Sequence, residues 1–220
     1  MVIPRAVERT KRRWPSRRRT PAERRLHFGA FDDVHDGWHN TDVTPHLLIA
    51  RVPVVARLAR RLGRLSAERW AAYEDGRFRR LHYLDLTRRL PYRDHTFEAA
   101  FGAHVLEHLT PAESQAALRE LHRVLQPGAV LRIAVPDLDR EVAAYDRAAP
   151  DAFLAGFLQG RTRSRSRHRH WWHYNERNLR EALERAGFRD VRRERFGVGR
   201  CPDVERIDVR PESLFMEGIA

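Results

Sequence analysis

The residues best suited to chemistry recur at the ends of short β-prone runs. Asp42 follows Trp38–Thr41, and Asp85 follows the run that begins at Leu81. A carboxylate in such a place can accept hydrogen bonds from both hydroxyls of a vicinal diol through its two oxygens. Asp42 can equally cap the Thr44-Pro45 turn, and Asp85 can pair with Arg88 or Arg89. Gly29 closes Leu26-His27-Phe28. Without a Cβ it tolerates positive φ and lets a ligand approach the backbone closely. Gly102, Ala103 and His104 close the apolar run that starts at Phe97. His104 and His108 are imidazoles with an ordinary pKa near neutrality, which suits general-base work. Glu107 and His108 can instead cap and brace the helix that follows. His168, His170 and His173 form H-R-H-W-W-H, a spacing that matches no standard zinc pattern, and Cys201 is the only thiol, so no metal is expected. Trp171, Trp172 and Tyr174 either stack on a sugar or aromatic ligand or cover the sheet.

These positions need elements to hold them. Strands are expected at Leu26–Phe28, Trp38–Val43, Leu81–Leu84, Phe97–Ala103, Ala129–Val135, Phe188–Phe196 and Ser213–Met216. Residues 46–62 read as an amphipathic helix broken near Pro53, and Ser66 caps a second over 66–73. Thr110, Pro111 and Glu113 form a capping box that opens a helix with Leu118, Leu121, His122 and Leu125 inside, stopped by Pro127-Gly128. Further helices are expected near 138–148 and 151–158, and from Asn175 to Ala186, closed by Gly187. Alternating strands and helices predict a mostly parallel sheet covered on both faces, which binds ligands beyond the carboxyl ends of its strands. Only eight residues, 30–37, separate Gly29 from the next strand, whereas a parallel crossover usually takes a dozen or more.

The 220 residues suffice for one domain with a substantial core. Of 42 basic and 30 acidic residues, ten basic and two acidic lie in residues 1–25, and five basic in 161–170. The remaining 27 and 28 balance, so the net charge of +12 sits in two Arg-rich segments. Residues 1–24 read as a basic, disordered arm and 161–170 as a mobile loop, both able to meet nucleic acid or an anionic surface. Residues 25–220 form the domain, with a helical insertion at about 46–73. The apolar stripe of that insertion (Leu47, Leu48, Val54, Val55, Leu58, Leu62) should lie on the sheet edge, on a second copy in a homodimer, or on a membrane surface. No apolar run reaches transmembrane length, the first residues lack a secretory apolar region, and one cysteine excludes an internal disulfide, which together fit a cytoplasmic protein.

Residues 81–138, with D-L after the third strand, then L-P-Y-R-D-H-T-F, H-V-L-E-H and R-V-L-Q-P-G, resemble the central block of small class I S-adenosylmethionine-dependent methyltransferases, the type 11-like subgroup. Residues 26–43 resemble the L-x-x-G-x-G…G-W-x-N-x-D segment of that family, and 170–191 its closing segment. The resemblance spans residues 25–217. It implies an α/β, Rossmann-like, mostly parallel seven-stranded sheet with helices on both faces. It implies S-adenosylmethionine as cofactor, held by Gly29, Ala30 and Phe31 after strand one, by Asp42 at the ribose, by Asp85 and Leu86 at the adenine, and by Gly102, Ala103 and His104 along the methionine end. It puts His170 and Tyr174 on the substrate side, and His108 is the catalytic candidate as a general base. Phe31 stands where the family has its second glycine, so it either narrows the methionine end or packs in the core. The acceptor implied is a small metabolite or a glycan. A non-catalytic binding protein on a degenerate scaffold and anionic-polymer binding through the Arg-rich segments are the alternatives. Against nucleic acid as acceptor, no recognisable RNA-binding module is present, and Pro136-Asp137-Leu138 stands where an N/D-P-P-Y-type motif would.

Overall fold

A computed structural model describes residues 21–157 and 169–220. The expected arm, apart from residues 21–24, and most of the Arg/Ser/His loop lie outside the described residues. Seven strands form one sheet: β1 (Arg25–Phe28), β2 (Trp38–Asp42), β3 (His82–Tyr83), β4 (Phe97–Ala103), β5 (Leu125–Val135), β6 (Arg189–Glu194) and β7 (Leu214–Ile219). Their order is β3-β2-β1-β4-β5-β7-β6. The first five are mutually parallel, and β7 runs antiparallel between β5 and β6. The fold is the expected Rossmann-like α/β sheet.

Side-chain alternation divides the strands between two faces. Leu26 and Phe28 of β1, Leu131, Ile133 and Val135 of β5, and Leu214 and Met216 of β7 enter one core. Helices α4 (Pro111–Val124) and α7 (Glu176–Ala186) cover it with Leu118, Leu121, Leu179 and Leu183. Both helices start as the sequence demands. Thr110 and Glu113 close a capping box, Asn175 and Asn178 close a second, and Gly187 ends α7 in the left-handed region. Two details differ from expectation. Pro127-Gly128 does not stop α4; the helix ends at Val124, and Leu125 already pairs with Phe97 as the first residue of β5. Pro127 and Gly128 sit in an irregular stretch between that pair and the resumed ladder at Ala99↔Val130, where Gly128 adopts φ +85°. The helix expected near 138–148 is α5 (Leu138–Ala143), started by the Asp137 side chain.

The connection from β1 to β2, residues 29–37, contains no helix. It is held by hydrogen bonds instead: Ala30 N–H donates to the Thr41 carbonyl, and Asn40 grips both the N–H and the carbonyl of His35. The face beside β1 and β2 is covered from far along the chain. Cys201 and Ile207, flanking and within α8 (Val204–Ile207), pack on Trp38, Ala99 and Phe101. The Asp203 carboxylate accepts from the Trp38 indole at 3.0 Å and from Arg25 at 2.9 Å. Arg132 of β5, fully buried, fastens the same segment. It donates to both Asp208 oxygens, to Glu217 at 2.9 Å and to the carbonyls of Arg195 and Val198.

Residues 46–74 form α1 (His46–Ile49), α2 (Pro53–Arg61) and α3 (Ala67–Glu74), with the break at Pro53 as the sequence demands. Leu47, Ala50 and Ala72 share a small core with Ala30, Phe78 and Leu81. The part of the apolar stripe that lies on α2 is not packed on the sheet edge. Val54, Val55, Leu58 and Leu62 are exposed, at 71, 46, 54 and 65%, and α2 buries only Ala56. No helix among the described residues is long and apolar enough to cross a membrane.

Candidate functional site

The carboxyl ends of β3, β2, β1 and β4 are neighbours in the sheet, and the strand-end residues gather there. At β1, Gly29 takes φ +72° and is followed by Ala30 and by Phe31 at φ +46°. The left-handed turn of a second glycine is therefore kept by a residue with a bulky ring. That ring meets Phe78 and His46 edge-on at 5.9 and 5.8 Å, inside the small core of the α1–α3 region. Phe31 thus packs in a core, although it is only partly buried.

Asp42 ends β2 and does two jobs at the loop. One oxygen accepts from the Phe31 N–H at 3.0 Å, the other from the Thr44 N–H at 2.6 Å. The turn-capping role and the strand-end position coincide in one partly exposed carboxylate. Asp85 follows β3 and accepts from the Thr87 N–H and hydroxyl, with Arg88 at 3.3 Å. Leu86 beside it is buried.

At β4, Gly102 lies under the Phe28 ring. A Cβ there would fall 2.0 Å from the ring, so glycine is required by packing. A Cβ on Gly29 would fall 2.1 Å from a Val105 methyl. The close approach that these two glycines permit is thus taken by the chain's own Phe28 and Val105. Ala103 is half-buried beside them. His104 takes φ +54° and is bonded on both nitrogens, Nδ1 to Glu107 at 3.2 Å and Nε2 to the Ser213 hydroxyl at 3.0 Å.

Glu107, His108 and His170 come together at a second cluster. The short 3-10 turn Leu106–His108 follows β4. The Glu107 carbonyl accepts from the N–H groups of Trp171 and Trp172, and the His108 ring approaches His170 at 5.0 Å. Glu107 and His108 therefore brace the segment after residue 168. The helix that follows them is tied to the Leu106 carbonyl by Ser114 instead. Burial, above all, lowers the His170 pKa, with Glu107 opposing. Tyr174 is in the main core, joined by a bridge to Asp137, and burial raises its phenol pKa. His170 thus stands at the cluster, and Tyr174 under it. Trp171 and Trp172 are half exposed rather than covering the sheet. No local pattern points to Ser213, which lies 109 residues from the imidazole it holds.

A family model described as a methyltransferase domain matches residues 32–193. No curated protein matches the sequence. Among solved structures, a SAM-dependent methyltransferase from Archaeoglobus fulgidus is 14% identical, with a TM-score of 0.50 over 91% of this chain and 87% of that one. PigF, solved with SAH, is 12% identical with a TM-score of 0.50 over 89% of this chain and 50% of that one. A Nostoc punctiforme protein is 14% identical with a TM-score of 0.49, and the chain spans about half its length, as it does of PigF. The likeness to these structures is one of fold. With the family model spanning most of the chain, the fold and the strand-end motifs define a class I methyltransferase domain, and the chain belongs to that family.

Proposed function

We propose that this chain binds S-adenosylmethionine across the carboxyl ends of β1–β4 and transfers its methyl group to a small-molecule or glycan acceptor in the cytoplasm. The observation that carries the reading is Asp42: a partly exposed carboxylate at the end of the strand beside β1, fixed by two backbone N–H groups. Fixed in this way, it meets a diol without reorganising. Asp85 and Leu86, at the next strand end, suit an adenine edge. The methionine end fits less openly, because Val105 and Phe28 stand over Gly29 and Gly102.

When bound, S-adenosylmethionine supplies a methyl group on a sulfonium, already an activated leaving group. The protein's task is then mainly to align an acceptor and exclude water. His108, at the β4 end, is the imidazole placed to take a proton from a hydroxyl acceptor, and His170 borders the same side. One observation favours a binding protein on a degenerate scaffold. The loop 29–37 has no helix, so no helix N-terminus stands at β1 to favour a carboxylate.

Calorimetric titration with S-adenosylmethionine separates the two. Binding is expected, and Asp42→Ala should weaken it by about 1–3 kcal/mol, the cost of leaving buried hydroxyls without their acceptor. A parent that binds neither S-adenosylmethionine nor its demethylated product overturns the enzyme reading. A parent that binds, with Asp42→Ala binding equally well, removes Asp42 from the site.

A further inference from the structure

The carboxylate of Glu107 is an anomaly. Its residue is 1% exposed, yet only Oε1 has a hydrogen-bond partner, the His104 ring, and Oε2 has none. A buried anion with an open oxygen is costly unless a positive charge meets it. No Lys or Arg among the described residues forms an ion pair with it; the charged-pair partner it has is His104, at 3.2 Å. What lies near are two imidazoles. One ligand atom each from Glu107, His108 and His170 lie within 4.8 Å of one another, close enough for a single ion to bridge.

The surroundings of Glu107 and His108 match what a metal ligand needs. A ligating imidazole presents one nitrogen's lone pair and donates the other N–H to a carbonyl or carboxylate, which fixes its tautomer. His108 Nδ1 lies 3.2 Å from the Arg169 carbonyl, a partner of the kind that orients a ligating ring. His170 Nδ1 is buried with no hydrogen-bond partner. The ligating carboxylate should be braced too, and Glu107 is, by His104, itself held on its far nitrogen by Ser213. The two backbone bonds from Trp171 and Trp172 to the Glu107 carbonyl hold the His170 segment against the turn.

We propose that Glu107, His108 and His170 form a binding site for one divalent transition-metal ion of the zinc class. Two imidazoles with one carboxylate suit zinc, iron(II), cobalt or nickel and disfavour magnesium and calcium, which take oxygen. Three protein ligands leave a coordination position open, as catalytic rather than structural sites do. The ion cancels the charge of Glu107 and occupies its open oxygen. The sequence hid the site because its ligands come from two segments 62 residues apart, and the H-R-H-W-W-H run contributes only His170 to the triad. The site stands independently of methyl transfer. It also occupies the lone pair that a general base at His108 would use, so a loaded site and base catalysis by His108 exclude each other.

The test uses the untagged full chain, stripped with a chelator and dialysed, then titrated with zinc alone and with cobalt(II) alone. One equivalent per chain should bind, cobalt should show visible d–d absorption, and zinc should raise the melting temperature. His170→Ala and His108→Ala should each weaken zinc binding at least about tenfold, while Cys201→Ser leaves it unchanged. His170 lies in a half-buried loop, so its variant decides alone if His108→Ala does not fold. Absence of stoichiometric binding, or zinc affinity equal to the parent's in folded His170→Ala, overturns the proposal, as does loss of binding in folded Cys201→Ser.

Discussion

Phe31 carries two opposed energies that substitution can separate. Its backbone sits at φ +46°, where an L-residue pays about 1–2 kcal/mol that glycine does not. Its ring packs against Phe78 and His46, with the Arg69 guanidinium 5.9 Å from the ring centre. A fully buried Phe→Ala change costs about 3–5 kcal/mol, so this half-buried ring should be worth about 2 kcal/mol. Phe31→Ala loses the ring and keeps the strained backbone, for a net loss of about 2 kcal/mol. Phe31→Gly loses the ring but relieves the strain, for a net loss of about 1 kcal/mol. For a chain of this size each kcal/mol moves the melting temperature by about 2–4 °C. The glycine variant should therefore melt between the parent and the alanine variant. Calorimetric titration with S-adenosylhomocysteine should give the same affinity for all three, because the ring lies in the small core with Phe78. An alanine variant at least as stable as the glycine variant refutes the strain. A glycine variant more stable than the parent refutes the packing, and one that also gains affinity shows that the ring narrows the ligand site.

Arg132→Met should destabilise the fold by about 3–5 kcal/mol in urea unfolding, because it removes the cation bonded to both Asp208 and Glu217, whose side chains are fully buried; a loss below about 1 kcal/mol would show that their remaining partners, Arg200 for Glu217 and the Gly197 N–H for Asp208, suffice. Burial, with His35 adding to it, pushes the His27 pKa from 6.5 down to about 4. The unfolded chain takes up a proton on His27 before the folded one does. Stability is therefore full above pH 6.5 and lost as pH falls from there through 4, by about 3 kcal/mol in all from this group. His27→Gln should lose that much less than the parent between pH 7 and pH 4; identical slopes in the two proteins would dismiss the effect.

The sheet was legible in the sequence wherever local rules act. Phe97–Ala103 is a strand because its apolar run sits between sharp turns, and α4 begins at Pro111 because Thr110 and Glu113 close a box that three residues of sequence announce. The short β1–β2 interval left either a very short helix or a later start for the second strand; β2 starts at Trp38 and the interval has no helix. The misreadings concern contacts between distant parts. Pro127-Gly128 looked like a helix stop because nothing local says that Leu125 will pair with Phe97. The sheet edge was one of three surfaces open to the α2 stripe, because amphipathicity records which side is apolar and not what that side meets. The same limit applies to the candidate site. Gly29, Asp42, Asp85 and Gly102 were visible as strand-end residues. The filling of the glycine clefts by Val105 and Phe28, and the convergence of Glu107 with His170, depend on packing that no spacing encodes.

The absent helix between β1 and β2 has a consequence for how the chain reaches its shape. A local helix would shield those strands within about a dozen residues of their own synthesis. Here the shield is the stretch around Cys201–Ile207, and the bonds that fasten it, Asp203 with Arg25 and with Trp38, join residues 178 and 165 positions apart. Contacts of such span raise the contact order and slow the search for the native state. During translation the Trp38–Phe101 surface stays bare until the region near residue 207 has left the ribosome, and for that interval it is a surface for chaperones or for aggregation. The first strands laid down are therefore among the last to be secured, and early loss of the 197–217 stretch should leave a collapsed, sticky intermediate rather than a smaller folded domain.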